Sequence, residues 1–488
     1  MRKTLLLLVM ISSLSTAFSQ ISFYRLFGGE EFDYAHDVVE LPDSSYLVAG
    51  TSGSFNVGHA DGFLLRVNKY GNLLWSIPYG GPENDGFYDL EHKQNFGTYL
   101  MGRTTGIAGD FDAWITFVDD QGSVIWERTY PGAVWEEVTE SAMTQDSGLI
   151  VGVKRYGSST QAEDYSIMRL DVFGDTVWTQ EVSRKGADEV TNIESYQDSM
   201  FLVSSNHWDT LNQQSFGFIE LIHEDGSLIW SDTVSISPGS TFINDFMVSN
   251  DTLFGVGSFK LDDTSTYNRM RHVRNLSLAE GGEFIMQAYQ SAGNMIEDVI
   301  CPIINNQNKY SAFRFHDPLE PSPYSNFFIG LNNYYSTPLG AATNTTSYGE
   351  DRLFHGVETY DGGAVFVGYE SLPNGGTAMC ILKIGPGFDY PVVPETPFIL
   401  DFVGQEEIEA LNSILVYPNP TSDILNAVVG DAEIDRFALV NLDGKLLVSG
   451  AISNSETSIA VEGIQAGMYF LQFYNEGVFL GAKQIIIR

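Results

Sequence analysis

The stretch Lys69-Tyr70-Gly71-Asn72-Leu73-Leu74-Trp75-Ser76-Ile77-Pro78-Tyr79-Gly80-Gly81 decides the fold class. It reads as a turn glycine, a strand whose aromatic follows four residues later, and a glycine exit. Its front half returns in Asp120-Gln121-Gly122-Ser123-Val124-Ile125-Trp126, in Phe173-Gly174-Asp175-Thr176-Val177-Trp178 and in Asp225-Gly226-Ser227-Leu228-Ile229-Trp230. The tryptophans stand 51, 52 and 52 residues apart. A fixed period of that length marks one supersecondary unit used many times.

Each unit reads as four short strands bounded by Gly, Asn, Asp and Pro, which is an all-β pattern. In the first unit these are residues 34–41, 46–50, 63–67 and 74–79. Three further units repeat the design clearly. The fifth and sixth are eroded, with Phe284 at the tryptophan place, and the seventh stops after residues 378–384 without its last strand. That strand is found at the other end of the chain. Ser22-Phe23-Tyr24-Arg25-Leu26-Phe27-Gly28-Gly29 aligns with Leu74 to Gly81, with Phe23 standing for Trp75. An N-terminal strand that completes the last repeat closes a ring, so the expected fold is a seven-bladed β-propeller, which manages its sheet edges by radial closure. A solenoid would need capping repeats instead. The aromatic at the tryptophan place is expected to pack between neighbouring units, and Arg66 and Arg169, at one place in their units, to pair with acidic neighbours.

The flanks read differently. Residues 1–19 carry Arg2-Lys3, an apolar run from Leu5 to Ile11 and Ala17-Phe18-Ser19, the layout of a secretory signal peptide, so the mature chain is expected to begin at Gln20. No later apolar run reaches the ~18 residues of a membrane helix. Residues 20–384 form the repeat domain, 385–412 a Pro/Gly-rich linker with one helical turn expected at 406–410, and 413–488 a small β-sandwich of short alternating strands.

The chain carries 63 acidic against 25 basic residues, a net charge of −38, which excludes charge-driven binding to nucleic-acid phosphates. With only Cys301 and Cys380, no disulfide framework holds the fold. Both read as small buried hydrophobes, with one disulfide as the alternative.

The tail resembles the type A C-terminal sorting domain of the type IX secretion system of Bacteroidota. The residues that carry the likeness are Tyr417-Pro418-Asn419-Pro420, the middle turn Asn441-Leu442-Asp443-Gly444-Lys445, the late strand Gly467-Met468-Tyr469-Phe470, and Lys483 with the terminal Arg488. The resemblance implies Sec export through the periplasm and recognition of the folded tail by the type IX machinery. Sortase-like processing then leaves the protein anchored to the outer cell surface or released.

One polar constellation recurs at the start of each innermost strand. Asp33, Asp85, Glu136, Asp188 and Asp351 share one place, with Thr241 and Asn294 in the eroded units; Asp37, Asp89, Glu140, Asn192, Asp245, Asp298 and His355 lie four residues on. In a propeller these would ring one mouth of the channel. They suit capping of tight turns; the same carboxylates suit Ca²⁺ through hard oxygen ligands, a sugar, or an acid pair. The eight histidines show no zinc spacing, and no nucleophile elbow or phosphate loop stands in a fitting context. The sequence therefore points to a non-enzymatic, exported binding or adhesion module for a protein or glycan. The alternative is a propeller enzyme acting on extracellular glycans, or a quinone-dependent dehydrogenase-like protein. A deep pocket with paired carboxylates in opposed environments would favour that alternative.

Overall fold

The computed structural model describes residues 21–488 apart from 56–58, 106–108, 133, 157–162, 185, 236–238, 250, 261–266, 277–286, 290–294, 306–307, 317–324, 333–339, 344–350, 374, 387–398, 401–413, 419–420, 430–433, 442–445, 453–455, 466 and 476–477. The expected signal peptide, the helical turn expected at 406–410, Phe284 and Asn294 lie outside the described residues. Among the described residues the chain is all-β.

The period of about fifty residues becomes a series of separate antiparallel meanders. Sheet one comprises Asp33–Glu40, Tyr46–Ser52, Asp61–Val67 and Leu73–Tyr79; sheet two, Gly86–Lys93, Gly97–Thr105, Phe111–Val118 and Val124–Tyr130. Sheet three comprises Glu136–Met143, Leu149–Arg155, Asp164–Leu170 and Thr176–Val182; sheet four, Gly186–Ser195, Met200–Asp209, Gln214–His223 and Leu228–Val234. The eroded units also form sheets. Sheet five comprises Ser240–Ser249, Thr252–Lys260, Tyr267–Asn275 and Gln287–Tyr289, and sheet six Met295–Asn305, Asn308–His316, Ser325–Asn332 and Gly340–Thr343. No sheet closes on itself.

In sheet seven, Arg352–Glu358, Ala364–Ser371 and Thr377–Ile384 are joined by the N-terminal strand Phe23–Phe27, which pairs antiparallel from Phe23 opposite Lys383 to Phe27 opposite Met379. The Tyr24 hydroxyl donates to Glu370 across this seam. Ile399–Leu400, from the linker, adds a short parallel pairing on Leu26 and Phe27. The first strands of consecutive sheets touch from one to seven, and the first strand of sheet seven touches that of sheet one.

The hydrophobic core lies between sheets. One cluster joins Leu47, Ala49 and Leu64 of sheet one to Phe87, Leu100 and Trp114 of sheet two; another joins Phe23, Phe27 and Val367 to Val48, Phe63 and Leu65. In sheets one, two, three and seven the second and third strands are largely buried on both faces. All eight residues of Thr377–Ile384 are buried, which is why they read as a continuous apolar run rather than alternating.

The opening motif is explained by this contact between sheets. Gly71, Gly122, Gly174 and Gly226 hold φ of +76°, +80°, +78° and +87°, a left-handed turn conformation that glycine adopts without steric cost. Against each lies the aromatic of the preceding sheet. A Cβ on Gly71 would meet Phe23 at 2.6 Å, one on Gly174 would meet Trp126 at 2.8 Å, and those on Gly122 and Gly226 would touch Trp75 and Trp178. The hydroxyls of Tyr79 and Tyr130 donate to the carbonyls of Gly122 and Gly174 at 2.6 and 2.7 Å. Arg66 pairs with Asp43 at 2.8 Å, and Arg169 with Asp146 and Glu224 at 2.7 Å each.

Cys380 is buried and free, and burial pushes its thiol well up; the side chain of Cys301 lies outside the described residues. In the tail, Ile414–Tyr417, Ile424–Val429 and Glu456–Ala460 form one sheet. Leu446–Ala451, Arg436–Asn441, Gly467–Asn475 and Val478–Ile487 form the other. Leu425, Leu439, Leu471, Phe473 and Ile485 pack between them as a sandwich core.

Candidate functional site

The site is built by a β-bulge repeated at one place in the first strands. Pairing with the second strand slips between Ala35 and Asp37, Phe87 and Asp89, Val138 and Glu140, Val190 and Asn192, Ile243 and Asp245, and Leu353 and His355. In sheet six the slip spans Ile296 to Val299 and so includes the backbone of Asp298, whose side chain lies outside the described residues. A bulge leaves one residue unpaired and re-aims its neighbours. In the other six sheets the unpaired residues are His36, Tyr88, Thr139, Thr191, Asn244 and Phe354. Glycine opposite the slip makes room for it. A Cβ on Gly50 would stand 2.0 Å from the Tyr34 carbonyl, on Gly102 2.0 Å from that of Gly86, and on Gly257 and Gly368 1.9 Å from those of Phe242 and Arg352.

Two cavities result, of about 900 and about 340 Å³. Asp37, Asp89, Glu140, Asn192, Asp245 and His355 line both, so they form the waist between them. The wide cavity adds all six bulge residues with Glu137, Tyr156, Glu189, Asn206, Phe242 and Arg352; the narrow one adds Glu91, Glu194 and Glu358.

The two rows of acids named in the sequence separate here. Asp33, Asp85, Glu136, Asp188 and Asp351 are buried and line neither cavity. Four of them accept hydrogen bonds from the loops that lead into the first strands or from the ends of the second strands. Asp33 takes Gly29 N at 2.9 Å and Ser54 Oγ at 2.6 Å; Asp85 takes Gly81 N at 2.7 Å and Thr104 Oγ1 at 2.6 Å. Asp188 takes Arg184 N at 2.7 Å, and Asp351 takes Ser371 N at 2.9 Å. Thr241 is likewise buried. The row four residues on reaches the waist.

At the waist, Asp37 accepts from Leu90 N at 2.9 Å and pairs with His355 Nδ1. Burial opposes charge on Asp37, but His355 overrides it and holds the carboxyl below its usual range. Burial would likewise lower His355, yet Asp37, Asp245 and Asp89 raise it to about 9. Burial, then Asp37 and Glu91, push Asp89 well up; burial, then Asp89 and Asp245, do the same to Glu140. Glu91 and Glu194 rise to about 8, from burial first and then Asp37 and Asp245 respectively. The waist therefore holds one ion pair, Asp37 with His355, and Asp89 and Glu140, like Glu91 and Glu194 of the narrow cavity, are biased toward the protonated form, which can donate hydrogen bonds.

The wide cavity has an aromatic side. His36 lies 4.9 Å from the Tyr88 ring and 4.7 Å from that of Phe354. Burial, Arg352 and Arg103 lower His36 to about 3, so it is neutral. Nearby cations are engaged internally: Arg103 pairs with Glu137 at 3.0 Å and stacks 3.9 Å over Phe111, and Lys154 pairs with Glu189 at 2.7 Å. Among the described residues no group of three or more His, Cys, Asp or Glu is arranged to hold a metal ion, so the calcium reading gains no ligand set there. Sequence reading missed the bulge residues because their types vary from sheet to sheet. The one signal was the glycine in the second strand.

In the tail, Tyr417 is exposed, Tyr469 is buried, and Lys483 stands opposite Leu471 in the last hairpin. Pro418 follows Tyr417 at the end of its strand, Gly467, Met468 and Phe470 lie on the strand Gly467–Asn475, and Arg488 N donates to Thr421 O at 2.8 Å. Asn419, Pro420, Gly444 and Lys445 lie outside the described residues. No described helix is long and apolar enough to cross a membrane.

No curated protein matches this chain. Similar solved structures include the polysaccharide lyase Uly1, at 10% identity and a TM-score of 0.44 over 72% of this chain and 90% of that one. Prolyl oligopeptidase B from Galerina marginata is 9% identical, with a TM-score of 0.45 over 82% of this chain and 56% of that one. Drosophila Plexin A in complex with Semaphorin 1b is 8% identical, with a TM-score of 0.40 over 75% and 88%. Likeness this distant carries no argument about function. The tail is different: residues 415–488 match the secretion system C-terminal sorting domain, and this part of the chain is a type IX secretion sorting domain.

Proposed function

We propose that this protein is an exported seven-bladed β-propeller that binds an extracellular ligand in the wide mouth of its central channel. The ring is closed by Phe23–Phe27, which acts as the outer strand of the seventh blade. Two contacts support closure: that strand's pairing with Thr377–Ile384, and the contact between the first strands of sheets seven and one. One observation carries the binding reading. A cavity of about 900 Å³ is walled by aromatic and polar side chains that a repeated bulge turns inward. Ligand sites are typically concave and largely apolar, with a few placed polar groups.

The export route follows from both ends of the chain: Sec passage through the periplasm on residues 1–19, then type IX translocation and sortase-like processing, leaving the propeller at the bacterial surface or released. The ligand is a surface protein or a glycan, and the module serves adhesion. Deleting residues 413–488 strands the propeller in the periplasm; normal surface display of the truncated chain would contradict the routing. A printed array of glycans and surface proteins, probed with the wild-type chain and with Tyr88→Ala plus Asn244→Ala, tests the seat. Capture lost in the double variant supports it, and capture that survives places the ligand elsewhere.

The enzyme reading has one observation in its favour, since Asp37 and Asp89 occupy opposed environments. The two carboxyls, however, are close enough to share a hydrogen bond, whereas glycoside cleavage places its carboxylates about 5 Å or more apart. Asp37 is also neutralised by His355. Release of reducing ends from polysaccharides by the wild-type chain, abolished in Asp89→Asn, would revive the enzyme reading.

A further inference from the structure

We propose that the wide mouth takes an uncharged pyranose ring, packed against the aromatic side formed by His36, Tyr88 and Phe354 and hydrogen-bonded by the opposite arc of Thr139, Thr191 and Asn244. This deepens the binding-module reading and rests on it. The bulge residues are chemically lopsided around the cavity. Sheets seven, one and two supply three contiguous rings, 4.7 and 4.9 Å apart in sequence across His36, while sheets three, four and five supply two hydroxyls and an amide. All six side chains are partly open.

A sugar ring matches this division, because its C–H face packs on aromatic faces while its hydroxyls point outward to polar groups. Thr139 Oγ1 and Asn244 Oδ1 are buried without a hydrogen-bond partner, a cost that ligand hydroxyls relieve. Charge selects among sugars. The cations beside the mouth are engaged, Arg103 with Glu137, Lys154 with Glu189 and Arg352 over the Phe354 ring, so a buried uronate or sulfated unit finds no free cation among the described residues to match its charge. His36 is neutral and offers no compensating cation.

The experiment is calorimetric titration of the full mature chain with neutral hexasaccharides (gluco-, manno- and xylo-), a hexauronate and hexalysine. The expected result is saturable binding of a neutral hexasaccharide, absent for the uronate. It weakens about tenfold or more in Tyr88→Ala and in Phe354→Ala, as for aromatic anchors in a buried seat. Tyr88→Phe and Phe354→Tyr, which keep the rings, retain it and guard against misfolding; Trp135→Ala, an exposed aromatic absent from the cavity wall, leaves it unchanged. Binding of the uronate as tight as the neutral sugar overturns the proposal, as does equal binding by the alanine variants. A protein ligand or hexalysine held in the mouth, with no sugar bound, would also overturn it while leaving the binding-module reading intact.

Discussion

Asp85 and Asp89 are the same residue type, four positions apart at the start of one strand, and they do opposite things. Asp85 is buried, lines neither cavity and is satisfied by Gly81 N and Thr104 Oγ1. Asp89 stands at the waist between the two cavities, where burial and neighbouring acids favour its protonated form. Between them lies the bulge at Phe87 to Asp89. One row of carboxylates therefore holds loops and strand ends in place, and the other faces the two cavities.

Substitution should separate the rows sharply. Asp85→Ala leaves part-buried donors unmatched and is expected to lower stability by about 3 kcal/mol in chemical denaturation. Asp89→Asn puts a near-isostere in place of a carboxyl whose surroundings favour its protonated form and should change stability by less than about 1 kcal/mol at neutral pH. Equal losses from both would erase the distinction. Next in size, Gly50→Ala drives a Cβ into the Tyr34 carbonyl and should cost about 2 kcal/mol. If it costs nothing, the bulge is not fixed as described.

The repeat was legible because its two halves are chemically specific. A turn at positive φ selects glycine, and the neighbouring sheet sets an aromatic against it, so Gly71, Gly122, Gly174 and Gly226 recur with Phe23, Trp75, Trp126 and Trp178. The alignment of Phe23 to Gly29 with Leu74 to Gly81 was legible for the same reason. The site was only half legible. Both rows of acids could be found by spacing, but a one-residue slip has no composition of its own. Nothing in the letters told Asp33 from Asp37, or pointed to His36, Tyr88 and Phe354.

A smaller effect concerns pH. Glu91 and Glu194 titrate near 8 in the folded chain against about 4.5 unfolded, so the folded state holds more protons across that window. Their contribution is present below the unfolded value and is lost as pH rises through about 8. His355, raised from 6.5 to about 9, acts in the same direction, its stabilisation fading as pH rises through 9. The Tm should therefore be higher near about pH 5.5 than near about pH 8.5, and Glu91→Gln should flatten the difference. A Tm that climbs with pH would mean the acids of the narrow cavity and the waist are not buried together.

The most direct measurement is a crystal structure of the mature chain soaked with the tightest neutral oligosaccharide. Sugar density in the wide mouth, one ring packed against His36, Tyr88 and Phe354 and a hydroxyl within reach of Asn244, is the predicted result. Density on the outer strands, or in the narrow cavity beside Glu91 and Glu194, with the wide mouth holding only water, would contradict it.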